Sequence, residues 1–550
     1  MTEQVGGSEP SGGAIHNAES HRATSSNSWW KRGIVYQIYP LSFQDSDGDG
    51  RGDLEGIKQR LDYLVWLGVD AIWISPIYPS PMADFGYDVS DYCNIAPQFG
   101  TLEQFDTLVR AAHERGLKVI LDFVPNHTSD QHPWFIESKS SRDNPKRDWY
   151  IWRDPAPGGG PPNNWISNFG GSAWQFDPHT GQYYHHAFLK EQPDLNWRNR
   201  RVRDAMYDVL RFWMERGVDG FRIDVLWHLM KDAQFRDNPP NPGYQPGDAA
   251  IRSLLQVYSC DQPEIFDIIV ELRSVLDAYP DRVLIGEIYL PVERLVQYYG
   301  GGRGVHMPFN FQLIEAPWHA RQIDQMIEEY DRLVPEGEWP NWVLGNHDKP
   351  RIASRVGAQQ ARVAAMLLLT LRGTPTMYYG DELGMENVTI PPDRVQDPWE
   401  KNEPGLGLGR DPQRTPMQWD SSPNAGFTTG IPWLPLAPDH TSRNVDCLAR
   451  DPASILSLYR RLIQLRRARP ALIEGRYRHV ESHADLLTYE REASGERLLI
   501  ALNFAHVPDQ LALHEWRGRV LLSTYFDREG ERVAGELALR ADEGIIVELT

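Results

Sequence analysis

The chain carries only three cysteines in 550 residues, Cys93, Cys260 and Cys447. They are too few and too scattered for a disulfide framework or a zinc-ligand set, and their odd number suits a reducing compartment. No run approaches ~18 consecutive apolar residues, so no membrane span is expected. Residues 1–28, rich in Gly, Ser and Asn, have no apolar stretch and read as a disordered tail, not a signal peptide. Positive charge is also scarce. Against 76 Asp and Glu stand 56 Lys and Arg, a formal net charge of −20, which repels phosphates and argues against a nucleic-acid partner. The expected location is the cytoplasm, and the composition carries no signal for an oligomeric state.

Aromatic side chains are abundant, with 19 Trp and 23 Tyr. Most such residues pack cores, but flat sugar rings are also held on aromatic faces, so the excess tilts the reading without deciding it. The length allows two or three domains. From Trp29 onward strand-like runs alternate with helical patterns. The runs are Gly33–Tyr39, Val69–Ser75, Leu117–Val124, Val218–Asp224, Arg282–Glu287, Pro308–Leu313, Asn341–Asn346 and Thr374–Tyr379. Leu54–Leu67 is predicted to be one helix stopped by Gly68, with apolar residues at Ile57, Leu61, Leu64 and Leu67. Eight alternating units predict an α/β fold, a closed parallel (β/α)8 barrel of the TIM type. The barrel is expected over residues 29–127 and 196–474. The irregular stretch 128–195 after the third strand is too long for a plain loop and reads as an inserted subdomain. Short alternating strands in 475–550 predict a C-terminal antiparallel β domain.

Three of the strand-like runs end in a carboxylate: Gly220-Phe-Arg-Ile-Asp224, Ile285-Gly-Glu287 and Gly345-Asn-His-Asp348. A fourth, Val119 to His127, ends in the polar pair Asn126-His127. A single acid at a strand end is usually a cap or an ion-pair partner. Several at the C-terminal ends of successive barrel strands mark a catalytic rim, and cleavage of a glycosidic bond needs two carboxyls.

Together these four runs resemble the signature regions of glycoside hydrolase family 13, the α-amylase superfamily. Gln192-Pro-Asp-Leu-Asn196 resembles the marker of its α-glucosidase and oligo-1,6-glucosidase branch. The resemblance implies a retaining, exo-acting α-glucosidase that acts on small α-glucosides, with Asp224 as nucleophile, Glu287 as acid/base and Asp348 as stabiliser of the cationic transition state. It further implies that Arg222 holds the nucleophile ionised, that Asp84 and Tyr87 close the pocket for the terminal glucose, and that His127, His347 and Arg410 contact the sugar. Arg414 stands close enough in sequence to compete with Arg410. Phe188 is an apolar wall or plain core packing.

Asp45-Ser-Asp47-Gly-Asp49-Gly-Arg51-Gly-Asp53 places oxygen ligands at alternate positions with glycines at the turns, as Ca²⁺ coordination needs. The expected ligands are the carboxylates of Asp45, Asp47, Asp49 and Asp53 and the Arg51 carbonyl. The metal would be structural Ca²⁺, with Mg²⁺ as the alternative, and no organic cofactor is expected. Relatives with Val at the position of Val225 lean towards α-1,6 bonds, and Lys349 replaces the Gln or Asn that many relatives carry beside the catalytic Asp. A glucosyl transferase or isomerase, of the trehalose synthase or sucrose isomerase type, would share the same carboxylates. A non-catalytic, membrane-tethered relative is disfavoured, because all three carboxylates are present and no span is.

Overall fold

The computed structural model describes residues 28–480 and 485–550; the expected N-terminal tail lies outside the described residues except for Ser28. Eight parallel strands form the barrel: Val35–Ile38, Ala71–Ile74, Lys118–Phe123, Gly220–Ile223, Val283–Ile288, Met307–Asn310, Asn341–Val343 and Thr374–Tyr378. Hydrogen-bonded neighbours run from the seventh strand through the eighth, first, second, third, fourth and fifth to the sixth. The remaining seam, between sixth and seventh, is stitched by one side chain: Asn341 Oδ1 accepts from Asn310 N at 3.0 Å, and its Nδ2 donates to Pro308 O.

Alternation along each strand sorts the side chains. Val35, Ala71, Trp73, Ile120, Val283, Ile285, Met307, Phe309 and Val343 pack with one another in one buried cluster, whereas Tyr36, Ile38, Ile72 and Ile74 join the larger core that includes the helices. Continuing the inward set two residues further along the strands gives Gln37, Asp122, Arg222 and Glu287, all buried. The polar site is therefore the last layer of the barrel's own packing.

The predicted helix Leu54–Leu67 is two helices, Leu54–Gln59 and Leu61–Leu67, broken at Arg60. The apolar periodicity survives because Ile57, Leu61, Leu64 and Leu67 all remain buried, while Arg60 turns to bond Gln44 Oε1 at 2.7 Å and to lie 4.1 Å from the Trp419 ring centre. Gly68 ends the second helix at φ 102°, with its N–H on Leu64 O. After the third strand the chain builds a three-stranded antiparallel sheet from Trp152–Arg153, Trp174–Asp177 and Gln182–His185. It returns to the barrel where His127 pairs with Asp194. A six-stranded antiparallel sheet fills the C-terminal end from Arg476 to Leu549. Among the described residues no helix is long and apolar enough to cross a membrane.

Candidate active site

Arg222 is fully buried and is the centre of the site. Its Nη1 donates to Asp122 Oδ1 and Asp224 Oδ1, both at 2.8 Å, and its Nη2 forms an ion pair with Glu287 Oε2 at 2.8 Å. Three carboxyls from the third, fourth and fifth strands thus share one guanidinium, which is always charged and offers several donors in a fixed fork. Glu287 Oε2 also accepts from Val225 N at 2.7 Å. That N–H is aimed by an unusual backbone, because Val225 sits at φ 37°, the left-handed region where a β-branched residue is strained.

Burial raises the pKa of Glu287 to about 7 against the pull of Arg222, with Asp348 adding to the rise. Burial, then the charge of Glu287, also pushes Asp224 well up, while Arg222 opposes the shift. Two buried carboxyls on one guanidinium titrate as a pair, the charge of one opposing ionisation of the other. Asp348 differs. Against the cost of its burial, the charges of Arg410 and Arg414 hold it well below the usual carboxylate range. Arg414 Nη2 reaches its Oδ1 at 2.7 Å and Arg410 Nη1 reaches the same oxygen at 3.3 Å, so the two arginines share the contact.

Arg410 also holds the pocket wall. Its Nη2 donates to Asp84 Oδ1 at 2.6 Å and to Asp397 Oδ1 at 2.8 Å. Asp84 Oδ2 accepts from Gln192 Nε2 at 3.2 Å. Tyr87 stacks on His347, ring centres 5.4 Å apart and 4° from parallel. A chain of bonds fixes this pair: Gln37 Nε2 donates to His347 Nδ1 at 2.8 Å, His347 Nε2 donates to Tyr87 Oη at 2.7 Å, and Tyr87 donates to Asp122 Oδ2 at 3.0 Å. Both His347 nitrogens are thus taken by protein partners, and burial keeps the ring neutral. His127 lies against Tyr87 O, Gln192 and Phe188. Phe188 packs between His127, Phe169 and His228. Lys349 points away from Asp348 to Glu315 Oε1, 2.8 Å away, over the Tyr289 ring.

Asp122 and Asp397 belong to this network and were not singled out from the sequence; Gln192, which opens the motif Gln192–Asn196, belongs to it as well, though no contact was assigned to it there. Asp397 lies in the Pro-rich segment 385–409, where no pattern marks it. The signal for Asp122 was present, because it stands two residues beyond inward-facing Ile120.

In the loop after the first strand, one oxygen each of Asp45, Asp47 and Asp49 lie within 4.8 Å of one another. Asp45 is held by the N–H groups of Asp47, Gly48 and Gly50, and Arg51 N donates to Asp49 at 2.7 Å. The fourth expected carboxylate, Asp53, is not among these three; it caps the helix Leu54–Gln59 by accepting from Gly56 N at 2.7 Å, and takes Ser46 N and Oγ as well.

A barrel with paired carboxyls and a guanidinium at its C-terminal rim defines an enzyme that cleaves glycosidic bonds. The family described as "Alpha amylase, catalytic domain" matches residues 37–475, and the chain belongs to it. A relative named "Probable alpha-glucosidase" from Rhizobium meliloti is 43% identical over 87% of this chain and 89% of its own. One named "Oligo-1,6-glucosidase" from Parageobacillus thermoglucosidasius is 38% identical over 95% and 99%. The solved structure of the α-glucosyl transfer enzyme XgtA superposes with a TM-score of 0.90 at 41% identity, covering 95% of this chain and 100% of that one.

Proposed function

We propose that the protein is a retaining, exo-acting α-glucosidase that releases glucose from the non-reducing end of short α-glucosides. The observation that carries the reading is the single Arg222 guanidinium against both Asp224 and Glu287, in a pocket walled by the Asp84–Arg410 pair. In the first step Asp224 attacks the anomeric carbon as the bond to the leaving oxygen breaks, and Glu287 gives that oxygen its proton. In the second, Glu287 takes a proton from water, whose oxygen displaces Asp224. Asp348 stays ionised throughout and meets the positive charge that develops on the sugar. The exo mode follows from the same reading, with the Asp84–Arg410 pair closing the pocket behind the terminal glucose.

Isomaltose, maltose, sucrose and trehalose, incubated separately and resolved by chromatography, test this reading. Glucose as the main product is expected; new disaccharides or longer oligosaccharides at low substrate would replace it with the transferase or isomerase reading, which the likeness to a solved transfer enzyme favours. Val225→Thr adds a hydroxyl beside Glu287 and is expected to lower the isomaltose-to-maltose rate ratio, by at most about tenfold, since one hydrogen bond is at stake. An unchanged ratio would remove Val225 from the linkage choice.

The oxygen-only cluster Asp45, Asp47 and Asp49 fits a hard divalent cation, with Ca²⁺ the expected ion and Mg²⁺ the alternative. Its part would be to brace the loop, with no role in the chemistry. A chelator, or Asp49→Ala, is expected to lower the Tm by a few degrees while kcat changes little. An unchanged melting curve under both treatments would end the metal assignment. The three scattered cysteines support a reducing, cytoplasmic setting.

A further inference from the structure

Lys231 is 1% exposed and stands outside the catalytic contacts. It follows the fourth strand by eight residues, in the segment that carries Asp224 and Val225. Its Nζ lies 2.6 Å from Asp194 Oδ2 and donates to Asn126 Oδ1 at 2.7 Å. It therefore joins three segments of chain: the exit of the third strand, the return of the inserted subdomain and the loop after the nucleophile.

The consequence falls on His127. An ammonium has donors only, so it obliges Asn126 to turn its carbonyl oxygen towards Lys231. The Asn126 amide group then faces His127 Nδ1 at 3.1 Å and donates to it. His127 is buried and its pKa is lowered to about 4, so the ring is neutral and its one proton sits on Nε2. That N–H meets Tyr87 O at 3.1 Å. Gln192 favours the opposite arrangement. Its Oε1 accepts from Leu189 N at 3.0 Å, which leaves its Nε2 to donate both to Asp84 and towards His127 Nε2, 3.0 Å away. With the proton on Nε2 these two N–H groups oppose each other. With the proton on Nδ1, Gln192 would be satisfied but Asn126 would be opposed and Tyr87 O would lose its donor. The ring is thus contested from both sides, and Asn126 can flip its amide unless Lys231 holds it.

We infer that Lys231 is a positioning residue that locks His127 in its Nε2–H form, so that the ring donates to Tyr87 O and holds the Tyr87 side of the pocket in place. The bland alternative is that Lys231 only neutralises buried Asp194, with which His185 Nδ1 also pairs at 3.1 Å. The catalytic consequence rests on the α-glucosidase reading; the tautomer does not.

The two roles separate in the double variant Asp194→Asn with Lys231→Met, which removes both charges of the buried pair and so avoids the unpaired carboxylate that Lys231→Met alone would leave. The His127 ring is followed by ¹⁵N–¹H correlation on histidine-labelled protein, its signals identified by their loss in His127→Gln. The double variant is expected to melt near the wild-type temperature, to show proton density moving to His127 Nδ1, and to lose about tenfold in kcat/KM, the effect of one misdirected hydrogen bond. Wild-type kcat/KM with an unchanged His127 pattern would overturn the inference, and so would a fall in kcat/KM with the Nε2–H form intact. Should the wild type turn over no α-glucoside, the NMR result would still decide the tautomer lock by itself.

Discussion

Asp224→Ala is expected to lower kcat on natural disaccharides by at least about 10⁴-fold, the scale seen when a group that forms bonds to substrate is removed. Its Tm should hold or rise. The burial and the repulsion from Glu287 that push the Asp224 pKa up also mean that the ionised group is poorly accommodated, so its loss relieves the fold. Glu287→Ala removes a different function, protonation of the leaving oxygen. With α-glucosyl fluoride, whose leaving group needs no proton, its first step should survive. Azide then tells the two apart. In Asp224→Ala, azide occupies the face of the lost carboxylate and gives the β-azide. In Glu287→Ala it intercepts the covalent intermediate from the other face and gives the α-azide. Reversed products would exchange the two assignments. The wild-type rate on disaccharides should fall as pH rises through about 7, because burial, opposed by Arg222, places the Glu287 pKa there and only the protonated form can act as acid. That limb should be absent from the fluoride's first step.

The barrel and its catalytic carboxylates were readable because both follow from alternation. Apolar residues at every second position fill the barrel, and the next inward position on each strand is polar. Arg222 and Glu287 stand at those positions, and Asp224 and Asp348 follow at strand exits. Asp84 and Arg410 were each named from the resemblance, but the ion pair between them was not readable. Asp84 and Arg410 are 326 residues apart in sequence, and Asp397 comes from a stretch whose composition predicts only a loop. Ion pairs between loops leave no period in a sequence, since any arginine and any aspartate can supply them. The break at Arg60 escaped for another reason: a helix interrupted by one residue keeps its buried face, so the apolar pattern is the same on both sides. For Asp53, a metal-ligand spacing and a helix N-cap call for the same residue type at the same place, so the spacing alone did not reveal the cap on Gly56 N.

Arg222→Met should be the most damaging single change, and pH should show why. Removing one partner from a buried ion cluster costs about 3–5 kcal/mol, and here one guanidinium serves Asp122, Asp224 and Glu287. Burial already raises the pKa of all three, and Arg222 opposes the rise in each. Without it their folded pKa values climb further above the unfolded ones. A carboxyl whose folded pKa is raised contributes stability that is complete below its unfolded pKa and is lost as pH rises through the folded value. The deficit of Arg222→Met relative to wild type should therefore be small at pH 5 and large at pH 8, measured as the Tm difference at each. A deficit equal at both would mean that the guanidinium acts by filling space against Trp73, whose ring centre lies 5.0 Å away, and not by its charge. Adding Asp122→Asn to Arg222→Met should recover part of the Tm at pH 8 without recovering turnover, because the nucleophile Asp224 would still lack the cation that holds it ionised.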